Sequence, residues 1–128
     1  MRKYIPHVLI ISFVFFLTPA CDVAKTVEEI EIEIEDAKEE VRKNPDDAKA
    51  HNGLGYTYDE LGKYEEAIKP YKQAIRIDPD FKEAHYNLGV CYIGIRDKSS
   101  ALRQHKILKK LDTKRAKKLL GMIYTELD

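Results

Sequence analysis

The sequence predicts an all-α fold in which antiparallel helix pairs stack side by side. Three observations carry that expectation. The chain repeats itself at a period of 34 residues: Ala-His-Asn-Gly-Leu-Gly-Tyr-Thr-Tyr (50–58) lies over Ala-His-Tyr-Asn-Leu-Gly-Val-Cys-Tyr (84–92), with Ala67 over Ala101 further on. Apolar residues recur at helical spacing, as Leu54, Tyr58 and Leu61 and again as Ala67, Tyr71, Ala74 and Ile75. Helix-stopping residues stand between these stretches, at Asn44-Pro45, Gly62 and Pro79. Composition narrows the rest. The 128 residues have room for one domain. With 22 basic and 22 acidic side chains the formal charge is zero, which argues against a uniformly basic nucleic-acid binder. Two cysteines make neither a disulfide scaffold nor a cysteine-built zinc site.

The first 20 residues read as an address. Arg2 and Lys3 open the chain, 8–17 is apolar except for Ser12, and no acidic residue precedes Asp22. A membrane-spanning helix needs about 20 apolar residues, so this run is short for an anchor and suits a secretory signal. The end of the run, Leu17-Thr18-Pro19-Ala20-Cys21, resembles a bacterial lipobox, with Pro19 as its departure. That resemblance implies that Cys21 is lipidated and becomes the mature N-terminus. Ordinary cleavage after Ala20 and an uncleaved anchor are the competing readings. Export, to a membrane or the periplasmic face, is the expected localisation.

Segment 21–47 then holds the lipidated end, an acidic linker and a leading helix. Ile30, Ile34, Ala37 and Val41 mark one helical face that ends at Asn44-Pro45. Residues 29–35 also alternate with the period of a strand. Helix is the expectation, because helix-favouring residues continue through Lys43 and no partner strand exists. Residues 22–47 carry four basic and eleven acidic side chains, whereas 96–118 carry ten basic and two acidic, so the two ends have opposite charge.

The repeats follow at 48–81 and 82–113, with a capping helix over 114–128. The first resembles the tetratricopeptide consensus at Leu54, Gly55, Tyr58, Gly62, Tyr64, Ala67, Tyr71, Ala74 and Pro79. The second keeps Leu88, Gly89, Tyr92 and Ala101, and Leu120-Gly121-Met122-Ile123-Tyr124 reads like the start of a third. The resemblance implies a short tetratricopeptide solenoid. Gly55, Gly89, Ala67 and Ala101 are expected to let paired helices approach closely. Gly62 is expected to stop a helix, Asp80 (with Glu83) and Asp97 to cap helices, and Pro70 to bend one. Repeat stacks need end caps, since one repeat cannot bury its own apolar face.

Candidate chemistry is sparse. His51 and His85 occupy one repeat position in place of the usual Trp, and His105 replaces another aromatic; all three read as packing residues. Cys91 reads as a buried small hydrophobe. Ser99 and Ser100 open a helix. The chain has no phosphate-binding glycine loop, no Gly-x-Ser-x-Gly and no His-Glu-x-x-His. No enzyme, metal or cofactor is expected. The basic run 96–118 reads as a solvated face, with anionic lipid or an acidic partner as the alternative.

Tetratricopeptide stacks line an inner groove with the first helix of each repeat. Carried over, that rule selects Lys49, Asn52, Tyr56 and Asp59, then Glu83, Tyr86, Asn87, Val90 and Ile93, then Arg115, Lys118, Met122 and Thr125. Such a lining suits a peptide or protein partner. Chaperone-binding members clamp a C-terminal carboxylate, but only Asn87 and Arg115 fit that pattern, so no clamp is expected. The resemblance thus implies an exported, lipid-anchored module for protein–protein contacts. The alternative is a self-assembling structural protein, a homo-oligomer, whose basic half also contacts anionic membrane. Nucleic acid is not an expected partner.

Overall fold

A computed structural model describes residues 25–127, and the expectations for the signal and for Cys21 lie outside them. Six helices are described: α1 (Val27–Lys43), α2 (Ala48–Glu60), α3 (Tyr64–Ile77), α4 (Lys82–Gly94), α5 (Lys98–Leu111) and α6 (Thr113–Glu126). No strand occurs among the described residues, and none of their helices is long and apolar enough to cross a membrane.

Local chemistry explains most boundaries. At α1 the Thr26 hydroxyl accepts from the Glu29 amide while the Glu29 carboxylate accepts from the Thr26 amide. That reciprocal cap pairs amides that a helix start leaves free, and it commits the alternating 29–35 stretch to helix. Asp47, Asp97 and Asp112 cap α2, α5 and α6 by accepting from the amides of Lys49, Ser100 and Arg115. Asp80 does not cap α4. The helix begins at Lys82, which makes Phe81 the cap position, without a side-chain bond. Asp80 sits one residue too early, its amide held by the Asp78 carboxylate. Pro70 lies inside α3, which runs through it unbroken.

The turns between paired helices repeat as well. Gly62 takes φ +68°, and its counterpart 34 residues on, Arg96, takes φ +62°. Glycine enters this left-handed region freely, but an L side chain pays roughly 1–2 kcal/mol to do so.

The helices form two layers. α2 lies against α4 and α4 against α6, whereas the Cα atoms of α1, α3 and α5 stay more than 8 Å from one another. The layer whose members meet is the inner, concave one. Between the layers lies a core of Ala67, Tyr71, Leu88, Cys91, Tyr92, Ala101, Leu108, Ala116, Leu119 and Ile123. Small residues set its spacing. A Cβ at Gly55 would lie 2.7 Å from the Tyr71 ring of its own pair. A Cβ at Gly89 would lie 2.5 Å from Leu119 of α6, the next inner helix, so the second glycine serves the joint between repeats instead.

Candidate functional site

The inner layer carries a row of side chains that crosses from helix to helix. Asn52 on α2, itself buried, donates through Nδ2 to Glu83 Oε1 on α4 at 3.1 Å, and Asn87 donates to Asn52 Oδ1 at 3.4 Å, so Asn52 anchors the row from beneath. On the other side of α4 the Tyr86 hydroxyl points at Met122 Sδ of α6, 3.6 Å away. The Lys118 ammonium lies 5.4 Å from the centre of the Tyr86 ring, within cation–π range. The spacing of these residues along α2, α4 and α6 places them on one face, and the packing of the three helices makes that face continuous.

Tyr56 is half exposed and donates to Glu60 Oε1 at 3.0 Å, a bond that raises its pKa. Burial, with help from the Glu60 charge, also pushes the Asp59 carboxyl up. Lys49 is exposed, and Val90 is partly buried against the core. Thr125 donates its hydroxyl to carbonyls of its own helix. Ile93 departs from the expectation: at 8% exposure it belongs to the core. It lies one helical turn beyond Gly89, on the face of α4 that Leu119 of α6 covers.

A cleft of about 380 Å³ opens between α4 and α6, lined by Glu83, Tyr86, Asn87, Lys114, Arg115 and Lys118. Arg115 is held there by an ion pair to the Asp112 cap. Three cations facing one carboxylate and one amide favour a ligand group carrying negative charge. Lys114 was not singled out by the repeat register, although its place one helical turn before Lys118 is visible in the sequence.

A larger cleft, about 590 Å³, lies in the outer layer between α1 and α3, over His51, Leu54 and Tyr58. Sequence reasoning missed it. One repeat later the same floor, His85, Leu88 and Tyr92, is buried. There Gln104 meets His85 Nδ1 at 2.8 Å, and Ile75 completes the wall. The first repeat has Pro70 and Val41 at those places, and the gap remains.

The histidines have structural partners. His51 Nε2 donates to the Pro45 carbonyl and His85 Nε2 to the Pro79 carbonyl, both at 2.8 Å. These are equivalent positions, so each repeat ties its inner helix back to the preceding turn. His105 Nδ1 bonds the Ala116 carbonyl at 2.9 Å. Among the described residues no three His, Cys, Asp or Glu gather as metal ligands. Cys91 is fully buried, and burial pushes its thiol up to about 12, which keeps it protonated and unreactive at neutral pH.

Comparison with known proteins agrees with this geometry. A TPR repeat family model matches residues 57–93, and a tetratricopeptide repeat model matches 37–69. No curated protein sequence matches the chain. Among solved structures the chain is similar to the TPR2B domain of yeast Sti1, determined as a complex with pHsp70. The TM-score is 0.66 at 21% identity, over 76% of this chain and 92% of that one. At that identity the likeness is one of fold.

Proposed function

We propose that this tetratricopeptide-repeat chain is an exported, lipid-anchored interaction module that holds a peptide segment on its inner face. The observation that carries the reading is the row from Asn52 through Asn87 and Tyr86 to Met122, ending in the cleft beside Lys114, Arg115 and Lys118. Aromatic and amide groups offer area and hydrogen bonds to an extended or helical backbone, and the cations select acidic side chains along it. The complex formed by the similar TPR2B domain is consistent with a protein partner.

The groove is tested by titrating the full chain against an array of acidic and basic peptides. Lys118→Glu should abolish the preference for acidic sequences, and Tyr86→Ala should weaken binding by about 1–3 kcal/mol. Peptides that bind equally well to both variants would remove the groove from the reading. The address is a separate question. Cys21→Ser should move the folded protein into the soluble exported fraction. Retention on membranes after a salt wash would favour an uncleaved anchor over lipidation.

A further inference from the structure

Among the described residues, a helix at each end of the stack stands without the mate that the internal pairs have. α2 with α3 and α4 with α5 are complete pairs, but α6 is an inner helix with no described outer helix after it. α1 is an outer helix with no described inner helix before it. The open face of α6 carries Lys114, Lys117, Gly121 and Tyr124, spaced three and four residues apart and all exposed. A Cβ at Gly121 meets nothing within 4 Å, although Leu120-Gly121 repeats the Leu-Gly pairs whose glycines are covered at 55 and 89. Tyr124 keeps 53% of its surface exposed even with the Lys98 ammonium 5.0 Å from its ring. The outward face of α1 carries Glu29, Ile32, Asp36 and Glu40 at the same spacing, with Ile32 57% exposed. α1 holds eight acidic and three basic residues, and α6 four basic and one acidic.

We infer that these faces dock in trans: α1 of one copy lies on the exposed face of α6 of the next, in the place that an outer helix takes in the internal pairs. A second copy is the occupant because the two half-pairs belong to one chain, stand at opposite ends and carry opposite charge. The contact is heterologous, so it propagates as an open string or closes into a ring. It is also weaker than the internal pairing. Glu40 stands where α3 has the buried Ala74, so α1 offers charge where the internal pair offers a small apolar surface. The association is therefore ionic, reversible and sensitive to salt.

Sedimentation velocity of the full chain in mild detergent tests this. Mass should grow with concentration at about 0.01 M salt, and fall to the monomer near 1 M, where the screening length shrinks from about 30 Å to about 3 Å. Asp36→Lys with Glu40→Lys, and separately Lys114→Glu with Lys117→Glu, should each weaken association roughly tenfold. Mixing the two variants should restore growth as an alternating string, since the two native faces attract one another and so do the two reversed ones. All four substitutions in one chain should restore growth. As a readout independent of charge, chains bearing Ile32→Cys should cross-link to chains bearing Gly121→Cys. A monomer at every concentration, loss in only one of the two charge variants, or cross-links only between identical positions would overturn the head-to-tail contact.

Discussion

Gly55, Gly89 and Gly121 precede different surroundings at one position of the repeat, which allows packing to be separated from helix propensity. Each lies inside a helix, where glycine is about 0.8–1.0 kcal/mol less favourable than alanine. At Gly121 an added Cβ meets nothing within 4 Å, so Gly121→Ala should stabilise the chain by the full propensity gain. For a domain near 100 residues that is a rise in melting temperature of about 4 °C or more. Gly89→Ala has the same gain, but its Cβ would stand 2.5 Å from one Leu119 methyl and 3.0 Å from the other. Leu119 is fully buried and has no open side to turn towards, so overpacking of about 1–3 kcal/mol applies. Gly55→Ala should sit at the upper end of that range, because three atoms of the buried Tyr71 ring lie within 2.9 Å and a planar ring cannot fold aside. The difference between two Gly→Ala changes cancels the propensity contribution and leaves the steric one. Thermal melts followed by far-UV circular dichroism measure it directly. If Gly89→Ala melts alongside Gly121→Ala, the joint between α4 and α6 is wrongly described.

Three further outcomes follow from other local features. Arg96→Gly should stabilise the chain by about 0.5–1 kcal/mol, since glycine occupies φ +62° without the Cβ conflict; an unchanged urea midpoint would contradict the strain. The Asp97 carboxyl is held at about 2 by bonds from the Ser100 hydroxyl and amide and the Ser99 hydroxyl, against an ordinary 3.8. Its folded form therefore takes up a proton later than its unfolded form, so the cap contributes fully above about pH 4 and is lost as pH falls through 2. Melts between those values should decline, and less steeply in Asp97→Asn. Finally, Tyr92→Ala should cost about 3–5 kcal/mol from its site in the core, whereas Tyr56→Ala, at a half-exposed position, should stay within about 0.5 kcal/mol. The reverse order would invert the assignment of inner and packed faces.

The architecture was legible because it rests on periodicities that survive without coordinates. The 34-residue repeat and the spacing of Leu54, Tyr58, Ala67 and Tyr71 fix how many helices there are and which sides they bury. Asp97 was legible as a cap because a helix-opening Ser-Ser follows it, but Asp80 was not, since a cap fails when the helix starts one residue later. The groove was legible in part. Asn52, Tyr86, Asn87, Lys118 and Met122 share a face by spacing alone, while the partner of each bond depends on how neighbouring helices meet. Ile93 shows the limit of that rule, because the close approach of α6 at Gly89 covers a nominal groove position one turn further on. The outer cleft was illegible for a different reason: it arises from the joint volumes of Val41 and Pro70, residues 29 positions apart, against the larger Ile75 and Gln104 one repeat on.

The core draws all its buried members from α3 to α6, and α1 contributes only Ile34 to the buried apolar set. In a stack whose parts feel only their neighbours, resistance to opening then varies along the axis. Amide hydrogens of α1 should exchange through local fraying, those of α4 and α6 only through rarer, larger openings. A ligand lying along the inner face therefore meets a stiff wall at its α4–α6 end and a compliant one at α2. Registration is set at the stiff end, and accommodation of different sequences falls to the other.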